Sequence, residues 1–256
     1  MYLHSRVIIA LQIASCLMTA TFAVEGAAQE FAVQNKVMQG SAVRSETRTL
    51  ITPDAYYDIV FKGKDPIQAS VYFRNRRQYY FVDFKSKTNA TIDDTDVRNF
   101  VAQVVSRAKT LRNPRVQFAA DPKFVEQLVA KTLKLDSALW IYTVELESAG
   151  DAQAVDAYRE FADSFARLNA FTSFPPNARL KLNEAMHRAG ALPSRVEVDL
   201  KDGAGKSVRK QVTVHTYDWK LSASDRKVID AAKAGIVEFE KVSFADFRGL
   251  NKGQRG

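Results

Sequence analysis

The chain has 256 residues and one cysteine, Cys16. Beyond that position there is no thiol, so no disulfide and no thiolate metal site is available. Stability must come from burial of apolar side chains, and a hydrophobic fraction of 46% is enough for a sizeable core. Histidine is also scarce, at three. G-x-S-x-G, H-E-x-x-H, Walker and G-x-G-x-x-G patterns are missing, so no familiar nucleophile elbow, zinc helix or phosphate loop is encoded. No internal repeat and no low-complexity linker divides the chain, which favours a single domain.

The N-terminus supplies location. Arg6 is followed by the apolar run VIIALQIASCLMTATFAV and by small residues ending in Gly26-Ala27-Ala28, the layout of a secretory signal peptide over residues 1–28. Two other readings compete. An uncleaved anchor is one, because the run approaches the ~18 to 20 apolar residues needed to span a bilayer. A lipoprotein acylated at Cys16 is the other, because Ile13-Ala14-Ser15-Cys16 looks like a bacterial lipobox. The residues after Cys16 stay apolar (Leu17, Met18, Phe22, Val24), whereas a lipidated cysteine is normally followed by a polar tether; this favours cleavage near Ala28. A cysteine-free exported domain, here residues 29–248, fits a bacterial periplasm or envelope better than the disulfide-rich style of small secreted animal domains. The net charge of +8 favours anionic partners. Export makes an anionic envelope surface the expected partner and excludes nucleic acid; the oligomeric state is not encoded.

What the chain does have is aromatic, β-branched sequence in short blocks. From Phe31 to Phe84 the pattern is β throughout, and its centre is a meander of three blocks: Tyr56 to Phe61, Ala69 to Arg74 and Gln78 to Phe84. Gly63-Lys64-Asp65-Pro66 and Asn75-Arg76-Arg77 supply the turns. Alternation puts Tyr57, Ile59 and Phe61 on one face and Tyr56, Asp58 and Val60 on the other. Tyr80, Val82 and Phe84 oppose Tyr79, Phe81 and Asp83 in the same way. Such a sheet is covered on both sides, or it presents one aromatic face to a ligand. The polar run Lys85 to Thr91 is expected to continue the last strand.

At Asp93 the period changes. Val97, Phe100, Val101, Val104, Val105 and Ala108 fall at helical spacing, with acidic residues at the start and basic ones at the end, as the helix dipole favours. Asn113-Pro114 is expected to end that helix and a short strand to follow near Val116 to Phe118, with the type of Lys123 to Lys131 left open. Ala138 to Glu147 reads as a strand with Trp140, Tyr142, Val144 and Leu146 on one side. Helices are expected from Asp151 to Asn169 and from Asn177 to Ala189. A hairpin of Arg195 to Leu200 and Ser207 to Trp219 follows, and then a last helix opened by the Ser222 to Asp225 capping-box spacing. Gly249 to Gly256 reads as a frayed tail. The sum is an α+β fold in which a long antiparallel sheet is packed by helices.

Candidate chemistry is sparse. His187 reads as a boundary residue of an amphipathic helix, and His215, on one face with Tyr217 and Trp219, as structural or part of a binding surface. Asp93, Asp94 and Asp96 are carboxylates at a helix start, expected there for capping and dipole reasons, and they lack the glycine and distal glutamate of a calcium loop. Glu145 and Glu147 at a strand end read as solvated charges. Arg74, Arg76 and Arg77 alternate with Tyr72, Tyr79 and Tyr80, as in single-strand nucleic-acid platforms, but a solvated turn flanked by core aromatics is the plainer reading. No catalytic residue, metal ligand or cofactor is assigned.

The order of elements resembles that of the periplasmic lipoprotein-carrier (LolA/LolB-like) group. The stretches AYYDIVFKGKDPIQASVYF, QYYFVDFKSKTNATIDD, ARLKLNEAMHRAGALPSRVEV and HTYDWKLSASDRKVIDAA are similar to exported proteins of planctomycete-type bacteria. The resemblance covers most of the mature chain, and its motifs are architectural. It implies a strongly curved antiparallel sheet, an unclosed half-barrel wrapped over helices, with an apolar cavity for acyl chains. The function it implies is non-enzymatic binding of a lipid, a lipoprotein acyl chain or another apolar ligand in the cell envelope. The implied lining is Tyr57, Ile59, Phe61, Phe73, Tyr80, Val82, Trp140 and Tyr142, each of which serves equally as core. The carriers' arginine latch is not assignable among Arg44, Arg48 and Arg74. Two rival expectations stand: a structural protein whose helices fill the sheet, and a hydrolase using a carboxylate with His215.

Overall fold

A computed structural model describes residues 30–252, so the leader read over residues 1–28, with Cys16, lies outside the described residues. In chain order the elements are β1 (Phe31–Gln39), β2 (Ala42–Ile51), β3 (Ala55–Lys62), β4 (Asp65–Phe73), β5 (Gln78–Asp83), β6 (Thr88–Asp93), α1 (Asp94–Thr110), α2 (Pro114–Ala120), β7 (Val125–Val129), β8 (Thr132–Asp136), β9 (Trp140–Ser148), α3 (Ala152–Asn169), α4 (Asn177–Arg188), β10 (Ala191–Lys201), β11 (Ser207–Asp218), α5 (Ala223–Glu238), β12 (Glu240–Lys241) and α6 (Phe244–Lys252). The strands form one open sheet in the order β12-β6-β5-β4-β3-β2-β1-β11-β10-β9-β8-β7. Every pairing is antiparallel except β12 with β6. The fold is therefore α+β. Its two meanders are joined at the centre, where β11 returns beside β1 and His215 stands opposite Asn35.

Period-two alternation divides the core. On one face Phe31, Ile51, Tyr56, Tyr72, Tyr79 and Phe81 pack with Tyr158 and Phe165 of α3. On the other, Leu50, Tyr57, Ile59, Val71 and Val82 pack with Ile229 and Ala232 of α5. The meander is thus covered on both sides, the first of the two arrangements its aromatic pattern allows.

Local chemistry fixes α5 in place. Ser222 and Asp225 form a reciprocal capping box at its N-terminus. The same Asp225 carboxylate accepts from Arg48 of β2, from Nε at 2.5 Å and Nη2 at 2.9 Å. Near the other end, a Cβ on Gly235 would stand 2.6 Å from Cγ1 of Val82, so only glycine allows this approach of helix to sheet. On the opposite face α3 is opened by Asp151, whose side chain accepts from the backbone N–H of Gln153.

Three sequence expectations are corrected and one open segment is settled. Lys85 to Thr91 does not prolong β5: Oδ1 of Asp83 accepts from the backbone N–H groups of Lys85 and Ser86, both at 2.9 Å, and this turn sends the chain back as β6. Val116 to Phe118 is helical, because Asn113 caps it through the N–H groups of Arg115 and Val116, with Pro114 in the first helical position. The dipeptide that stops α1 therefore starts α2. The segment left open, Lys123 to Lys131, contains β7 and the turn into β8. Finally, Gly249 to Lys252 belong to α6, while residues 253–256 lie outside the described residues. Phe244 and Phe247 seat α6 on Phe81, at ring separations of 5.1 and 5.8 Å. Among the described residues no helix is long and apolar enough to cross a membrane.

Candidate functional site

A cavity of about 380 Å³ lies between the sheet and helices α3 and α4. Its wall is aromatic: Trp140 and Tyr142 of β9, Tyr158, Phe161 and Phe165 of α3, and Phe174 of the α3–α4 connection. β9 alternates as read from the sequence, with Trp140, Tyr142, Val144 and Leu146 all buried. Trp140 meets Phe174 edge to face at 5.5 Å. Its indole Nε1–H is buried without a partner.

The floor is polar, and strand register builds it. His215 of β11 stands opposite Asn35 of β1, Asn35 opposite Thr47 of β2, and Thr49 of β2 opposite Asp58 of β3. Paired residues in a sheet share a face, so these four strands carry a row of side chains toward α3. The row is bonded throughout. Nδ2 of Asn35 donates to Oγ1 of Thr47 at 3.2 Å and of Thr49 at 3.0 Å, and Oγ1 of Thr49 donates to Oδ1 of Asp58 at 3.0 Å. With its amide N–H groups committed to the threonines, Asn35 turns Oδ1 to Nδ1 of His215, 2.8 Å away. Nδ1 therefore carries the proton and donates.

Nε2 of His215 is then a lone-pair acceptor, buried and without a partner. Burial first, and the nearby Arg179 guanidinium second, push the imidazole down to about 3, so it is neutral at pH 7. Asp58 is raised above the usual carboxylate range by burial, against the opposing hydroxyls of Thr49 and Thr47. Arg179 of α4 also lines the cavity. Its Nε donates to Oδ1 of Asn183 at 3.0 Å, and it forms no ion pair among the described residues.

The sequence-derived lining residues divide between the two faces. Trp140 and Tyr142 border this cavity, whereas Tyr57, Ile59, Phe61, Phe73, Tyr80 and Val82 form the cluster against α5. Within that cluster Phe73 meets Tyr57 and Tyr80 edge to face, at 6.5 and 5.5 Å. Tyr57 and Phe73 also border a second cavity of about 480 Å³, rimmed by charged side chains that include Arg76, Arg226, Asp230 and Lys233. Sequence reasoning passed over Asn35, Thr47, Asp58 and Arg179. A signal existed for Asn35 and Asp58: each is a polar position between apolar ones in its alternating row, Asn35 between Val33 and Val37 and Asp58 between Tyr56 and Val60.

The other charged candidates are tied into the scaffold. Asp94, 1% exposed, accepts from Arg98 Nε at 2.6 Å and Arg77 Nη2 at 3.1 Å; burial raises its carboxyl, but these two guanidinium groups outweigh it and hold the group below its ordinary range. Arg74 and the Tyr56 hydroxyl both donate to Oε2 of Glu160, each at 2.8 Å. His187 sits at the surface between Asp156, 2.6 Å from Nε2, and Arg159, 3.0 Å from Nδ1. Among the described residues no group of three or more His, Cys, Asp or Glu is placed to hold a metal ion.

The fold and its site define an α+β protein with an open antiparallel sheet and an aromatic-walled, polar-floored cavity. No family model and no curated protein matches the chain. Two solved structures of PNGF-II, in different space groups, are similar at TM-scores of 0.38 and 0.35, with 8% and 7% identity over 87% and 84% of this chain. The chain spans 33% and 31% of the length of those two structures.

Proposed function

We propose that the protein is a non-enzymatic, exported envelope protein that binds a lipid, a lipoprotein acyl chain or another apolar ligand, its open sheet acting as a curved half-barrel. The observation that supports this reading is the 380 Å³ cavity, with aromatic walls and two buried polar atoms, Trp140 Nε1 and His215 Nε2, that lack partners. Its volume falls in the range of small-molecule sites, roughly 300 to 1,000 Å³. In this reading Trp140 and Tyr142 are the ligand contacts of this cavity, Ile59, Phe61, Tyr80 and Val82 pack in the cluster against α5, and Tyr57 and Phe73 border the second cavity on that face. The basic surface serves an anionic envelope partner. Against the hydrolase reading, Nε2 of His215 contacts no hydroxyl nucleophile among the described residues, and an imidazole that titrates near 3 is a weak general base at neutral pH.

The test is native mass spectrometry of protein purified from the envelope, together with titration of the delipidated protein by a fluorescent acyl probe. Co-purified lipid and saturable uptake, abolished by filling the cavity with Ala166→Trp, are expected. A sample that carries no lipid and takes up no probe overturns the proposal in favour of a structural role.

A further inference from the structure

One end of the same cavity gathers positive charge. Leu200 of β10 stands opposite Arg209 of β11 on one side and Trp140 of β9 on the other, so these three side chains form a row on the face toward α3 and α4. α4 begins beside this row: Phe174 meets Trp140 edge to face, and Pro175, Pro176, Ala178 and Arg179 line the cavity. No side chain caps the α4 N-terminus and its first turn holds no acidic residue, so the positive end of its dipole carries no counter-charge from its own residues. Trp140 is 6% exposed, and its Nε1–H acts on the Tyr142 hydroxyl without reaching hydrogen-bond geometry. The Arg179 guanidinium acts on the same hydroxyl from α4, and on that of Tyr158 of α3. Neither Arg179 nor Arg209 forms an ion pair among the described residues: Nε of Arg179 donates to Asn183, and Nη2 of Arg209 to Gln211.

Counter-charge is distant in the rest of the lining. Asp58 is the one carboxyl among the lining residues, and it stands on β3, five strands from β9, roughly 24 Å along the sheet at 4.8 Å per strand. The Arg179 charge also reaches His215. That residue lies six positions along β11 from Arg209, roughly 20 Å at 3.3 Å per residue, so the Nε2 lone pair, which repels an anion, is set apart from the Trp140 row. We propose that this end of the cavity holds the anionic head of an acidic amphiphile, a carboxylate or a phosphate monoester, whose chain runs along the aromatic wall. The inference rests on the binding function proposed above and names the head group of the ligand. One head oxygen accepts from Trp140 Nε1–H, which satisfies a buried donor, and another accepts charge-assisted hydrogen bonds from Arg179. Arg209, exposed at the rim, adds attraction without burial. An alcohol leaves both arginines without a counter-ion, and an amine is repelled by them.

The experiment is calorimetric titration of the delipidated protein with octanoate, octyl phosphate, octanol and octylamine. It is run at about 0.15 M salt, where attraction of an anion to the basic surface is largely screened. Octanoate, octyl phosphate or both are expected to bind at least about tenfold more tightly than octanol and octylamine. The tighter of the two anions assigns the head as carboxylate or phosphate. Arg179→Gln is expected to weaken the anions about tenfold and to leave octanol within about twofold, the sign of an intact cavity, while Arg179→Lys, which keeps the charge, recovers part of the loss. Octanol or octylamine binding as tightly as both anions, or equal weakening of all four ligands in Arg179→Gln, overturns the inference while leaving the binding function standing. Failure of all four ligands to bind overturns both.

Discussion

The two faces of the sheet are built from the same kinds of residue and are closed to different degrees at their centres. On the α5 face, Ile59, Val71 and Val82 are closed over by a helix that comes so near that Gly235 has no room for a side chain, and open space is confined to the charged-rimmed cavity beside Tyr57 and Phe73. On the α3 face the meander end is just as filled, with Tyr56, Tyr72 and Tyr79 buried under Phe161 and Phe165. Toward β1, β11 and β9 the filling stops, and a cavity remains over Asn35, Asp58 and His215. The difference lies in the strands more than in the helices. Where alternation supplies apolar side chains without interruption, a helix packs down on them. Where it supplies Asn35, Thr47, Thr49 and Asp58, the side chains satisfy one another in the plane of the sheet, and close apolar packing has nothing to gain there.

The sharpest way to break this contrast is truncation on the filled face. Ile59→Ala is expected to cost about 2–5 kcal/mol in urea denaturation, because the residue is fully buried and α5 is held too firmly to collapse into the gap. A loss under 1 kcal/mol would mean that the two faces are equally loose. Asp225→Ala comes next, at about 3 kcal/mol, since it removes the capping box and leaves the largely buried Arg48 with only Asp218. Gly235→Ala should cost about 1–3 kcal/mol through the clash with Val82, read by the same denaturation. On the cavity side, Ala166→Leu should change stability by less than about 1 kcal/mol, because it grows into empty space, while it weakens acyl-probe uptake.

A separate expected effect, spread over several pH units, is the pH dependence contributed by the floor. The His215 imidazole is lowered from an ordinary 6.5 to about 3, so below pH 6.5 the unfolded chain binds the proton more readily and stability declines toward pH 3. Asp58, raised by burial, acts with the opposite sign, taking up a proton more readily when folded and offsetting part of the loss. Asp94 and Asp225 are both held low by arginine, and their stabilisation is full above the ordinary carboxylate value of 3.8 and lost only below it. The difference in denaturation midpoint between the unmodified protein and His215→Gln isolates the histidine. It should change between pH 6.5 and 4; a difference flat across that range would mean that the imidazole is solvated.

Much of this was legible in the chain. Tyr56 to Phe84 declared a two-sided meander because aromatic residues occupy both phases of the alternation, and β9 and the α3 stripe followed from clean periods of two and 3.6. Reading failed where one residue serves two elements. Asn113-Pro114 looked like a stop, and it is a cap and first position as well; Asp83 looked like one more strand residue, and it turns the chain. Of the expected lining, Trp140 and Tyr142 fall on the α3 face and the other six on the α5 face, where Tyr57 and Phe73 border the second cavity, because alternation separates two faces without saying which helix will cover either.

By itself the sequence determined the strands of the central meander, β9 and the closing hairpin, the longer helices, the capping of α5 and the apolar character of both faces of the meander, since each depends on neighbours within a few positions. Only the tertiary structure decided that β11 returns beside β1. That single pairing brings His215, 180 residues away, to Asn35, sets the direction of the hydrogen-bond row, and leaves an acceptor facing the cavity. The reason is physical: periodicity reports which side of an element is buried, whereas a cavity is the space that distant elements fail to fill.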